Sequence, residues 1–573
     1  MRSACTSMMG LLQRASAACF AAVMLSASAF AQQTNMPQVS EPPVQAPAAE
    51  PVLRFKILNV GSAIRQLLNE DQAALPHAVR QRRDALKSYY DDPGATLLWQ
   101  DRGRVTGLID RMRNASIDAL DPGDYPVEQM LQIRQPNRLA LSHTARMLKT
   151  AKAELYWSAF FLKYASDLKV GRFLPTKIEP KLYWQRKTID MVAALRLVAA
   201  LGEMDKFFDA WQPQIPDYLR LKQALSEYRA TEQAGGWPLV PIGDLLKPGM
   251  QDENVPLLRR RLAVTEGAPA EPPSGQEKIY TDDLITAVKR FQTRHGLDAD
   301  GLVGKRTYFQ MNIPVAERIR QIIMTMERWR WMPEDLGKDY IKVNIAGFEL
   351  RRVTNGQRVD QMRVVVGTPY HQTPVFSDKM DYVEMNPYWN VPHSIAIKEM
   401  LPKLRARPQS LVSQGYEAVF NDKPVPLTAI DWNRYSADNF PVRLRQKPGP
   451  DNALGRVKFM FPNRFNVYMH DTPSRSLFGE SERAFSHGCV RLARPIDMAV
   501  EVLNQLDGWN RARIERVLAG GERTVVSLKR PIPVHITYAT AWRDAQGDVQ
   551  FRPDIYRRDE RLYAALFGRK YPY

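Results

Sequence analysis

The hydrophobic period of this chain changes near residue 340, and that change limits the folds open to it. Between about 54 and 240 apolar residues recur at spacings of three and four, as in "AIRQLLNEDQAALPHAVRQRRDALKSYYDD" (63–92). From about 340 they alternate with polar ones, as in "YIKVNIAGFELRRVTNGQRVDQMRVVVGTP" (340–369). The first spacing lays a stripe along a helix, and the second fills one face of a strand. One layer cannot serve both, so the expectation is a multidomain chain, mainly α first and mainly β second. A length of 573 fits three to four domains at about 150 residues each.

Within the helical part, "ARMLKTAKAELYWSAFFLKYASDLKVGRFLP" (145–175) is a long amphipathic run stopped by Gly171 and Pro175. Its Tyr156, Trp157, Phe160, Phe161 and Tyr164 make an aromatic stripe expected in the core. No constellation of reactive side chains stands in this region. Residues 241–315 read as a small unit of three short helices. Thr281 is the expected cap of one of them, Leu284, Ile285, Val288 and Phe291 share its face, and Gly296 ends it. In the β part, Asn355-Gly356 marks a hairpin turn. A second hairpin is expected at "AQGDVQF" (545–551). Residues 398–450 interrupt the strands and read as an insertion.

The N-terminus has its own texture. Arg2 and Arg14 accompany a small apolar run to Ala29, and Ala29-Phe30-Ala31 precedes Gln32. Residues 1–31 are expected to be a secretory signal peptide, and the Pro/Ala-rich 32–53 a linker. A lipid anchor at Cys19 fits less well, because Ser16 stands where such sites favour a large aliphatic residue. The mature protein is then expected to be exported, with no transmembrane segment. Cys5 and Cys19 leave with the signal, so Cys489 becomes the one thiol and no internal disulfide is possible. Of the net charge of +18, Arg2 and Arg14 contribute two, leaving about +16 spread along the chain. For an exported chain, anionic wall polymer or membrane surface suits this charge better than nucleic acid.

The chemistry-bearing stretch is "YMHDTPSRSLFGESERAFSHGCVRL" (468–492). His470 ends a strand, and His487, Gly488 and Cys489 follow seventeen residues later. Three readings of Cys489 stand: a small buried hydrophobe, a zinc ligand with His470 and His487, or a nucleophile. Nucleophilic chemistry needs a thiolate, and a nearby imidazole supplies the base. A working nucleophile is expected to have a lowered thiol pKa. The backbone N–H groups of Gly488 and Cys489 are candidate oxyanion donors.

"SHGCVR" (486–491), with the upstream histidine of "MHDTP", resembles the signature of L,D-transpeptidases of the YkuD type. "VVVGTPYHQTPVF", "NPYWNVPHSI" and "RLRQKPGPDNALGRVKFMFPN" extend the likeness. In the small unit, Phe291-Gln292, His295-Gly296-Leu297, Asp300-Gly301, Val303-Gly304 and Thr307 resemble a peptidoglycan-binding module. The order of parts resembles the large periplasmic subgroup of Gram-negative bacteria. It implies a mainly α scaffold (54–240), a three-helix wall-binding module (241–315), a mainly β catalytic domain (316–545) with an inserted cap (398–450), and a C-terminal extension (546–573).

The resemblance implies Cys489 as nucleophile and His470 as general base, with Gly488 in the oxyanion site. It implies that Asp471 orients His470 through its backbone carbonyl. Ser486, His487 and Arg491 would shape the pocket, and Tyr388, Trp389 and His393 are candidates for substrate contact. The implied reaction is 3→3 cross-linking of peptidoglycan stem peptides, without metal or organic cofactor, with trapping by carbapenems. Penicillin-binding proteins and carboxypeptidases are the implied working partners. Resolution of the acyl-enzyme by water or by a lipoprotein lysine are alternatives within the same chemistry. A non-catalytic wall-binding scaffold is the alternative of another class.

Overall fold

A computed structural model describes residues 59–70, 75–134, 142–184, 187–272 and 274–573. The expected signal peptide (1–31) and linker (32–53) lie outside the described residues. In the helical part, the 28-residue helix His143–Val170 starts where the Ser142 hydroxyl accepts the Ala145 N–H. It ends at Gly171, whose φ of 88° lies in the left-handed region. Trp157, Phe161 and Tyr164 are fully buried, packed with Phe207 and Phe208. The aromatic stripe is therefore core, and each such side chain stabilises the fold by about 1.5–3 kcal/mol.

The small unit is built from helices Val255–Glu266, Asp282–Arg294 and Lys305–Met311. They enclose Leu258, Leu262, Val288, Phe291 and Met311. Thr281 occupies the capping position, but its hydroxyl donates to Asp283 and makes no backbone capping bond. The unit docks on the C-terminal hairpin. Arg294 Nε donates to the Val549 carbonyl at 3.0 Å, and the His295 ring stacks on Phe291 and Phe551.

The strands in chain order are β1 (Tyr340–Asn344), β2 (Glu349–Thr354), β3 (Gln357–Gly367), β4 (Phe376–Met385), β5 (Trp389–Asn390), β6 (Tyr416–Phe420), β7 (Lys423–Val425) and β8 (Arg443–Gln446). There follow β9 (Val457–Met460), β10 (Met469–His470), β11 (Ala484–Ser486), β12 (Val490–Leu492), β13 (Thr524–Thr537), β14 (Ala541–Arg543) and β15 (Val549–Phe551). One sheet runs β11-β3-β12-β10-β9-β4-β13-β1-β2, and β2 also pairs with β3, so the ladder closes on itself. The β2–β3 turn is Asn355-Gly356, with φ of 51° and 76°. Both residues need positive φ for a turn that matches the strand twist. The β14–β15 pair is the second expected hairpin.

Between β4 and β9, which are neighbours in the ladder, the chain leaves to build a separate lobe. Its sheet runs β5-β8-β6-β7. Leu404, Leu411, Trp432, Phe440 and Leu444 fill its own core, which already includes Ile395, ahead of residue 398. This is the inserted cap. The last helix, Asp559–Phe567, is tied to helix Val315–Trp331 by a buried network. There Arg328 binds both Glu179 and Asp559. No helix among the described residues is long and apolar enough to cross a membrane.

Candidate active site

Strand register assembles the site. β10 and β12 run parallel with His470 opposite Arg491, and the Val490 N–H donates to the Tyr468 carbonyl at 3.1 Å. One step back, Tyr468 stands beside Cys489. Alternation then puts Tyr468, His470, Cys489 and Arg491 on one face, while Met469 and Val490 fill the core behind them. The Tyr468 and His470 rings meet edge to face at 5.6 Å. On the other side β9 places Lys458 opposite His470, and β4 places Glu384 opposite Lys458.

His470 is buried, and its Nδ1 lies 2.5 Å from the Asp471 backbone carbonyl. An acceptor there favours the proton on Nδ1, and the Leu454 carbonyl is a second backbone acceptor at the ring. The Asp471 carboxylate does other work. It accepts the N–H groups of Arg456 and Thr472 and pairs with Arg475. Burial, with Arg491 and Lys458 as further causes, lowers the imidazole pKa to about 3. At neutral pH the His470 imidazole is therefore uncharged.

Cys489 is partly exposed, and its thiol points at the Asn466 carbonyl at 3.8 Å. Its pKa is raised, which corrects the expectation of a lowered one. Burial outweighs the stabilisation offered by Tyr468, Lys458 and Arg491. The resting pair is thus a neutral thiol and a neutral imidazole. Lys458 and Tyr468 escaped the sequence reading. The signal was present: Tyr468 lies two residues before His470 on a strand, and Lys458 interrupts the apolar run "VKFMF". Lys458 Nζ sits 4.3 Å above the Tyr468 ring and 3.9 Å from Glu384.

The "SHGC" turn is locked from within. The Ser486 hydroxyl accepts the Gly488 N–H at 3.0 Å and donates to the Cys489 carbonyl at 2.6 Å. Thr373 holds the Gly488 carbonyl at 2.8 Å. Gly488 has a φ of 117°, a conformation that a side chain would strain. Its N–H, the donor expected to serve an oxyanion, is bonded to the Ser486 hydroxyl.

Residues 338–526 match the family model of the YkuD L,D-transpeptidase catalytic domain. That match covers about a third of the chain. Residues 84–225 match the "Scaffold domain" family, and 251–311 the "Putative peptidoglycan binding domain" family. A Haemophilus influenzae protein described as "Putative L,D-transpeptidase" is 36% identical over 248 residues, covering 43% of this chain and 49% of that one. The match thus spans about half the length of that curated relative. A solved L,D-transpeptidase from Mycobacterium smegmatis is 12% identical with a TM-score of 0.17, over 35% of this chain and 58% of that one. One from Xylanimonas cellulosilytica is 13% identical with a TM-score of 0.17, over 52% and 99%.

The remaining sequence-derived residues divide between the two lobes. In the YkuD domain, Arg491 is partly buried and its Nε has no hydrogen-bond partner. His487 is exposed, with Nε2 2.8 Å from Glu399 of the cap. Among the described residues no three His, Cys, Asp or Glu side chains converge as metal ligands. Of three cap-side candidates, Tyr388 and His393 are engaged in packing, while the Trp389 side chain also bonds to Tyr468 beside Cys489. Arg445 covers the Tyr388 ring at 4.5 Å, Trp389 meets Tyr416, and His393 meets Phe440.

Proposed function

We propose that this chain is a periplasmic L,D-transpeptidase that makes 3→3 cross-links through a Cys489 acyl-enzyme. The observation that carries this reading is the shared face of Cys489 and His470, with the imidazole held by the Asp471 carbonyl so that Nε2 is the base. The Cys489 thiol gives its proton to His470 Nε2 and the sulfur attacks the carbonyl of the third residue of a donor tetrapeptide stem. The bond to the terminal D-alanine breaks, and the leaving amine takes the proton from His470. An amine of a neighbouring stem then attacks the thioester, the C–S bond breaks, and the thiolate regains a proton through His470. With the Gly488 amide engaged, the Cys489 N–H is the backbone donor left beside the developing oxyanion. Lys458 supplies positive charge to the sulfur as it ionises. The match at 251–311 supports the wall as the place of work, and the exported N-terminal pattern supports the periplasm.

Carbapenem trapping tests the acyl-enzyme. Intact-mass spectrometry should show one stoichiometric adduct on the wild type and none on Cys489→Ala. An adduct that persists in Cys489→Ala would remove Cys489 from the mechanism.

A further inference from the structure

The reading above leaves the acceptor unplaced, and resting on it we infer that Glu399 of the cap, paired with His487, receives the acceptor amine. Glu399 lies in the π-helical turn Ala396–Met400, and such turns occur often at functional sites. Its Oε1 is 2.8 Å from His487 Nε2, and both side chains are 42% exposed. A contact that open to water holds a cap only weakly, so anchoring the lobe does not explain it. His487 stands two residues before Cys489, its ring 4.7 Å from that of His371.

The charged and titratable groups around this pair are His371, Lys398 and Tyr416. Around the sulfur itself the charges are Lys458 and Arg491. Glu384, the carboxylate on that face, is buried and held by Arg523 and Lys458. Glu399, half-exposed and bonded to His487, is therefore the carboxylate on the solvent side that can meet a cation. His470 is buried and serves the thiol, so a second proton acceptor is needed on the open side.

An acceptor amine with a pKa near 10.4 is an ammonium at neutral pH. Bound at Glu399, it gives one proton to the Glu399–His487 pair, which passes it to water. The neutral nitrogen attacks the thioester carbonyl and the C–S bond breaks. The remaining surplus proton on nitrogen moves through His470 to the Cys489 sulfur. Water needs no carboxylate to bind it as a cation, so Glu399 favours transfer over hydrolysis.

The test uses the full chain carrying Glu399→Gln or Glu399→Asp, with tetrapeptide muropeptides as donor and acceptor. Acylation is followed as D-alanine release in a single turnover, and partition as the ratio of cross-linked dimer to tripeptide. For Glu399→Gln the dimer-to-tripeptide ratio should fall about tenfold or more, as expected for losing a hydrogen bond to a charged group. Acylation should fall much less. Glu399→Asp and raised pH should each restore part of the ratio. An unchanged ratio, or a loss of acylation equal to the loss of transfer, would overturn the inference. A wild type that never forms an acyl-enzyme would overturn the transpeptidase reading itself.

Discussion

His470 Nδ1 is bonded to the backbone carbonyl of Asp471, at 2.5 Å, while the Asp471 carboxylate faces Arg456, Thr472 and Arg475. The orienting group is main chain, so it survives replacement of the side chain. Asp471→Asn should cost at most about tenfold in the acylation rate, whereas His470→Ala should cost about 10²–10⁴-fold, the range for a positioned base. Stopped-flow acylation by a carbapenem measures both. Equal losses would mean that the carboxylate takes part.

The titration of the pair is unusual and has a direct signature. With its pKa lowered to about 3, His470 stays neutral down to pH 4, so acylation should show no falling limb near pH 6.5. Cys489, with its thiol raised by burial, should react with iodoacetamide at a rate still climbing above pH 9. An acid limb near 6.5 that disappears in His470→Gln would contradict the first statement, and a labelling plateau by pH 7 the second. The same lowering affects stability. The unfolded chain binds a proton at His470 that the fold rejects, so this contribution is lost as pH falls from 6.5 to about 3.

Lys458 contributes charge to the sulfur from across the sheet. Lys458→Met should move the iodoacetamide profile of Cys489 to higher pH and slow acylation, with the far-UV circular dichroism unchanged. A profile that stays in place would remove Lys458 from the account.

Arg328 joins three distant segments by binding Glu179 and Asp559, all of them buried. Arg328→Met takes the cation from buried Asp559 and leaves Glu179 only Arg558, at 4.0 Å, and should cost about 3–5 kcal/mol. The readout is a lower Tm by calorimetry, and an unchanged Tm would show that the network is not stabilising.

How much of this was legible in the sequence follows from distance along the chain. The change of period near 340 and the Asn355-Gly356 turn are local signals, and the helices and β2–β3 hairpin formed where they pointed. Cys489 and His470 were legible because each ends or follows a short strand inside one stretch of the sequence. The carbonyl role of Asp471 came from the resemblance and not from the residue type. Lys458, Glu384 and Glu399 were not legible, since ladder register and the cap bring them to the site from 31 to 105 residues away from Cys489. The bond from the Gly488 N–H to Ser486 was not legible either, since it is set by the conformation of the turn and not by residue type. The thiol was misread because burial is set by the whole sheet, not by its neighbours in sequence.

The central claim is that Cys489 carries the acyl group from one stem to another. Purified tetrapeptide muropeptides incubated with the enzyme and separated by mass should yield free D-alanine and 3→3 dimers, with neither formed by Cys489→Ala. Dimers made by Cys489→Ala, or tripeptide as the sole wild-type product, would contradict it.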